Sequence, residues 1–148
     1  MSFIVDANVA VKWAVPEIGA DDAYAIYVAG GLAAPDLIFA ECANALWKKA
    51  SRGEMSAVQA AAASRVIEQA ALEVVQTRTL IAPALDIALR LAHPAYDCLY
   101  LALAKARGFR LVTADAQLLA KLSKRTDDLR GLAISIADAA ASIKQPGP

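Results

Sequence analysis

Short apolar runs alternate along this chain with longer segments of helical period. Residues 2–5, Ser-Phe-Ile-Val, read as a buried strand that ends at Asp6. A short helix is expected over 9–14, broken by Pro16. Residues 21–29 read as a helix with Asp21 or Asp22 in its first turn and Gly30-Gly31 at its end. Residues 32–34 make a minimal strand, after which Pro35-Asp36 opens a helix that runs to Arg52 and stops at Gly53. Ser56 is suited to cap a helix over 57–70, and 72–75 is strand-like. The period over 80–92 is helical, with Pro83 tolerated in the first turn; His93-Pro94 marks a break. A further helix spans 95–107 and ends at Gly108. Residues 110–113 form a compact strand, Asp115 caps a helix through Lys124, and 132–136 is the last strand.

Strands separated by helices, without hairpin signals such as Asn-Gly, predict an α/β domain whose mostly parallel sheet is covered by helices on both faces. No repeat or linker divides the chain, so residues 1–143 are expected to form one domain. The tail over 144–148, with two prolines and a glycine, is expected to be disordered.

Composition changes this picture in three places. A chain of 148 residues can bury a core, but 58% hydrophobic residues and a mean hydropathy of +0.42 are high for a soluble protein. Alanine accounts for much of the excess, and the remainder points to surface covered by self-association or a partner. The longest uncharged stretch, 23–35, is too short for a membrane span and carries Gly30, Gly31 and Pro35. Residues 1–15 lack a basic leader, so the expected location is cytoplasmic, away from membranes. A net charge of zero and a pI near 6.6 exclude a polycationic nucleic-acid binder. They leave room for an enzyme that engages phosphates through a metal and a few local cations. Cys42 and Cys98 lack CxxC spacing and read as small buried hydrophobes.

The candidate chemistry lies in four acids. Asp6 and Asp115 sit at strand ends, where parallel α/β sheets bind ligands, although a lone acid there also serves as a helix cap. Asp97 lies in the apolar run Ala-Tyr-Asp-Cys-Leu-Tyr-Leu-Ala, where a helix dipole could favour it. Glu41 lies in Leu-Ile-Phe-Ala-Glu-Cys-Ala-Asn-Ala-Leu-Trp, a full turn into its helix, where the dipole gives no such support. Burying an unpaired carboxylate costs several kcal/mol. Glu41, Asn44 and Lys48 fall at i, i+3 and i+7 on one face, with Arg52 extending it, while Phe39, Ala43, Leu46 and Ala50 form an apolar stripe suited to the core. Lys48 and Arg52 are either a solvated helix end or phosphate contacts. Two carboxylates ~5 Å apart repel by roughly 3 kcal/mol at an effective dielectric of 20, so converging acids demand a cation. Oxygen ligands without a His or Cys cluster favour Mg²⁺ or Mn²⁺ over zinc. His93 reads as part of a turn between helices.

These segments resemble the PIN-domain nucleases, in particular the VapC-type toxins of bacterial toxin–antitoxin pairs. The resemblance rests on Ile-Val-Asp-Ala-Asn-Val, Pro-Asp-Leu-Ile-Phe-Ala-Glu-Cys-Ala-Asn-Ala-Leu, Tyr-Asp-Cys-Leu-Tyr-Leu-Ala-Leu-Ala and Leu-Val-Thr-Ala-Asp, in that order. It implies a three-layer α/β/α sandwich and a catalytic, metal-binding quartet of Asp6, Glu41, Asp97 and Asp115. Asn8, Asn44 and Thr113 match the polar positions that accompany the quartet, while Ala7 stands where many relatives carry Thr or Ser. The implied activity is Mg²⁺-dependent endoribonucleolytic hydrolysis. The implied partners are RNA, a small antitoxin and a second copy of the chain. Lys12 and Trp13 could meet RNA by charge and stacking, but Trp13 is better suited to the core or a dimer interface.

Three other readings compete. A phosphoacceptor receiver domain would want adjacent acids after its first strand, and Asp6 has no acidic neighbour. A haloacid-dehalogenase-like phosphatase would want Asp-x-Asp, where this chain has Asp6-Ala7-Asn8. A non-catalytic interaction module would gain nothing from burying carboxylates.

Overall fold

The computed structural model describes residues 1–145. Five strands carry the architecture: β1 (Phe3–Val5), β2 (Leu32–Pro35), β3 (Glu73–Val75), β4 (Arg110–Thr113) and β5 (Ala133–Ser135). They form one sheet in the order β3-β2-β1-β4-β5, every pair parallel. Ile4 is in register with Ala33 on one side and Leu111 on the other. The three central strands are apolar because helices cover them; β1 and β2 are buried throughout, and β4 from Leu111 onward.

The helices are α1 (Ala7–Ala10), α2 (Ala20–Ala29), α3 (Leu37–Ser51), α4 (Ala57–Glu68), α5 (Ile81–Leu91), α6 (Ala95–Arg107), α7 (Ala116–Ser123) and α8 (Ile136–Lys144). Single 3₁₀ turns at Val11–Trp13 and Thr77–Leu80 extend α1 and lead into α5. With the sheet they make a three-layer α/β/α sandwich. α6 is the central helix: it packs along β1, β2 and β4 and is backed by α5. Its residues Cys98 to Ala104 are all buried. α3 pairs with α4, and α2 with α8. No helix of the described residues is long and apolar enough to cross a membrane.

Three expectations need correction. The apolar stripe of α3 that enters the core is Ile38, Cys42 and Leu46, whereas Ala43 is exposed. The helix is alanine-rich, so two adjacent registers look alike, and alanine does not discriminate between them. The last strand stops at Ser135, whose hydroxyl accepts from the Asp138 N–H at 3.1 Å and caps α8, a helix absent from the sequence reading. The helix expected over 57–70 ends at Glu68. Of the tail over 144–148, Lys144 closes α8 and residues 146–148 lie outside the described residues.

The strand order reverses at β1: the chain leaves it toward β2 and later returns on the other side to β4. Parallel sheets open a crevice at the carboxyl ends of strands at such a switch point. Asp6 follows β1 there, and Asp115 follows β4.

Candidate active site

Asp6 caps α1, its Oδ1 accepting from the backbone N–H of Asn8 at 3.0 Å and of Val9 at 3.3 Å. Its Oδ2 accepts from the Thr113 hydroxyl at 2.5 Å. Thr113 is the single fully buried polar residue among the described residues, and its oxygen also accepts from the Asp115 N–H at 3.1 Å. Asn8 donates to that same oxygen at 3.5 Å and accepts from the Ala114 N–H at 3.0 Å. Thr113 and Asn8 therefore lash the ends of β1 and β4 together and tie Asp6 to Asp115. Asp115 caps α7 through the N–H groups of Gln117 and Leu118, both at 3.0 Å. Both strand-end acids are helix caps, and the capping bonds engage only one oxygen of each carboxylate.

Glu41 reaches the same place from α3. Its Oε1 accepts from the Tyr100 hydroxyl of α6 at 2.7 Å. Asp97, in the first turn of α6, has its Oδ2 2.6 Å from His93 Nε2. Potential ligand atoms of His93, Asp97 and Asp115 lie within 4.8 Å of one another. A cavity of about 260 Å³ is lined by Asp6, Asn8, Glu41, Asn44, Lys48 and Asp97, with Tyr100 beside them. Three of the quartet thus face one cavity, and Asp115 joins through Asp97 and Thr113.

Burial pushes the Asp6 carboxyl up to about 7, and the Asp97 charge adds to the effect against the opposing hydrogen bonds of Thr113, Val9 and Asn8. Burial also raises Glu41, again with Asp97 contributing and the Tyr100 hydrogen bond opposing. The Tyr100 phenol is held far above its ordinary range by burial and by Glu41. Among the described residues no lysine or arginine pairs with any of the four acids, and Asp97 has only His93. Acids elsewhere are served differently. Glu17 holds Lys12 at 3.0 Å and Lys49 at 2.6 Å, while Asp127 and Asp128 share Arg90, Arg125 and Lys105. A site of carboxylate oxygens, short of positive charge and without thiolates, fits a hard divalent cation. Cys42 and Cys98 are buried, with thiols pushed up to about 12 and about 11, chiefly by burial, which keeps them out of metal chemistry.

The accompanying residues divide. Asn44 and Lys48 line the cavity as exposed side chains, and Asn44 makes no hydrogen bond to the carboxylates among the described residues. Arg52 is the exposed C-cap of α3 and does not line the cavity. The Lys12 ammonium is tied to Glu17 and, at 2.9 Å, to the Ile18 carbonyl. Trp13 donates to the Ala23 carbonyl at 3.1 Å and packs on Tyr27 with ring centroids 5.0 Å apart, so its role is in joining the first turn to α2. Sequence reasoning missed Tyr100, and it assigned His93 to a turn only. The spacing held a signal for Tyr100 alone, which falls at i+3 from Asp97 on the same face of α6; His93 precedes that helix, and its approach is set by the left-handed turn at Ala92.

An all-parallel sheet with carboxylates gathered at its switch point defines a sandwich protein built around an acidic site short of positive charge. The chain belongs to the PIN domain family, whose model matches residues 3–125 and takes in all four acids. It is 35% identical over 127 residues to ribonuclease VapC3 of Pyrobaculum aerophilum, covering 82% of this chain and 95% of that one. A crystal structure of a Pyrobaculum aerophilum protein superposes with a TM-score of 0.73 at 26% identity, covering 97% of this chain and 89% of that one. A toxin–antitoxin complex from Klebsiella pneumoniae matches with a TM-score of 0.55 at 13% identity, over 91% of this chain and 98% of that one, and shows the shared fold alone.

Proposed function

We propose that this protein is a metal-dependent endoribonuclease of the VapC type, the toxic member of a toxin–antitoxin pair. One observation carries the reading: four carboxylates from separate elements converge with no lysine or arginine to neutralise them among the described residues. The VapC ribonuclease relative supports RNA as the substrate class. Asp6, Glu41, Asp97 and Asp115 would hold the ion, Mg²⁺ or Mn²⁺. When bound, it supplies charge neutralisation for the scissile phosphate and an activated water. The chain's own contribution is to orient those carboxylates. Thr113 and Asn8 fix Asp6, Tyr100 fixes Glu41, and Lys48 on the cavity wall would meet a neighbouring phosphate. Hydrolysis leaves a 5′-phosphate and a 3′-hydroxyl. The same reading brings an antitoxin as partner and a homodimer. The dimer would cover apolar side chains such as Ile81, Leu85 and Leu89, which α5 leaves exposed. Action in the cytoplasm, where the RNA is, completes it.

The test is cleavage of total RNA with and without EDTA, followed by sequencing of the new 5′ ends. Asp6→Asn and Asp97→Asn should each stay folded and lose more than the roughly 10–100-fold typical of disturbing a ligand's outer partner. Full activity in both variants, or activity indifferent to EDTA, overturns the reading.

A further inference from the structure

His93 is the chain's only histidine, and its side chain is 9% exposed. It sits just past α5, whose C-cap Ala92 adopts φ 51, ψ 53, a left-handed conformation unusual for alanine. That turn brings the ring over the first turn of α6, with Nε2 2.6 Å from Asp97 Oδ2. On the other side of the ring, the Lys121 ammonium of α7 lies 3.2 Å from Nδ1 and donates to the Ala92 carbonyl at 3.0 Å. A neutral imidazole has one donor and one acceptor nitrogen, and the partner of one decides the role of the other.

An ammonium can only donate. Nδ1 must therefore accept, which leaves the proton on Nε2, aimed at Asp97. The proximity of His93, Asp97 and Asp115 would also suit a three-ligand transition-metal site. In that case Nε2 would need a free lone pair and Nδ1 would carry the proton, facing Lys121 donor to donor. The Lys121 contact decides between the two arrangements.

We propose that His93 is a positioning residue for Asp97, its Nε2–H holding Oδ2 so that Oδ1 serves the ion, with Lys121 fixing the tautomer. The proposal rests on the reading of the acidic quartet as a cation site. It gives Asp97 the outer partner that Thr113 gives Asp6 and Tyr100 gives Glu41. Lys121, outside the cavity lining, becomes part of the support for the site from a third helix.

Two measurements on untagged protein test it. With a single histidine, a long-range ¹⁵N–¹H correlation spectrum reads the tautomer without assignment; the wild type should show Nε2–H, and Lys121→Met should shift the population toward Nδ1–H. Mn²⁺ titration followed by EPR reads the site. His93→Phe should weaken Mn²⁺ binding roughly 10–100-fold. His93→Gln, whose amide can place a donor near the position of Nε2, should recover most of that loss. A wild type in the Nδ1–H tautomer overturns the proposal, as does a bound Mn²⁺ coupled to a directly ligated imidazole nitrogen. So does His93→Phe binding as tightly as wild type, or His93→Gln binding no better than His93→Phe. Wild type that binds no Mn²⁺ overturns the cation-site reading itself, and this proposal with it.

Discussion

A carboxylate inside a protein needs a donor, a cation or a proton, and the quartet shows how far donors alone can go. Asp6 accepts three hydrogen bonds and is still pushed up to about 7 by burial. Glu41 has one protein donor among the described residues, the Tyr100 hydroxyl. Tyr100→Phe should therefore do two separable things. Loss of the hydrogen bond to a half-buried carboxylate should cost about 1–3 kcal/mol, read from urea unfolding. Freeing Glu41 to rotate should raise the Mg²⁺ concentration for half-maximal cleavage by roughly tenfold. Unchanged values for both would mean that the bond does not orient Glu41. At this scale Glu41 was legible in the sequence because a mid-helix acid in an apolar run has no local excuse. Tyr100 and His93 were not, because an aromatic in a core helix and a histidine before proline each have an ordinary local explanation. Lys12 misleads for a related reason. A cation near a strand-end acid looks like a phosphate contact until its partner, Glu17, is seen to arrive from beyond the helix break.

Among the elements, the strands were the easiest to read, since short runs rich in apolar residues between helices leave few alternatives in a parallel sheet. The helix α8 was lost because Ala-Asp-Ala-Ala-Ala-Ser reads as filler after a strand, although Ser135 and Asp138 carry the spacing of a cap. The turn into β2 is decided by backbone geometry. Gly31 has φ +68, and a Cβ there would lie 2.9 Å from the Met1 carbonyl and 2.9 Å from Ser2 Oγ. Its own carbonyl receives the Phe3 N–H at 3.1 Å, so this glycine seats the start of β1, which carries Asp6. Gly31→Ala should destabilise by about 1–3 kcal/mol, combining left-handed strain with the clash. Gly108→Ala is the control: φ is +66, but nothing lies within 4 Å of the added Cβ. Urea unfolding of both variants checks this, and equal costs would show that the approach of residues 1–2 is unimportant.

At the scale of the molecule, the switch point between β1 and β4 gathers acids from residues 6 to 115, and holding them together without an ion costs stability. The sign follows from the two raised carboxyls. Asp6 binds its proton more tightly folded, at about 7 against an ordinary 3.8, and Glu41 shifts the same way. Between pH 3.8 and 7 the native state of Asp6 thus holds more protons than the unfolded chain, so stability falls as pH rises through that window, and the full penalty is present above it. Glu17, Asp127 and Asp128 are shifted down by their lysines and arginines, so their contributions are complete above the ordinary carboxyl range and are lost only in more acid solution. The interval from pH 5 to 8 therefore isolates the site. Metal-free protein should melt at a lower temperature at pH 8 than at pH 5.5, and Asp6→Asn should flatten that slope. If Mg²⁺ binds the ionised carboxylates as proposed, at pH 8 it should raise the melting temperature, by an amount equivalent to about 2.7 kcal/mol at 100 times its dissociation constant. At pH 5.5 the ion must displace a proton from Asp6, and the gain should be smaller. Calorimetric melts at the two pH values, with EDTA or with Mg²⁺, measure both effects. A Mg²⁺ gain larger at pH 5.5 than at pH 8 would place the ion somewhere other than on Asp6.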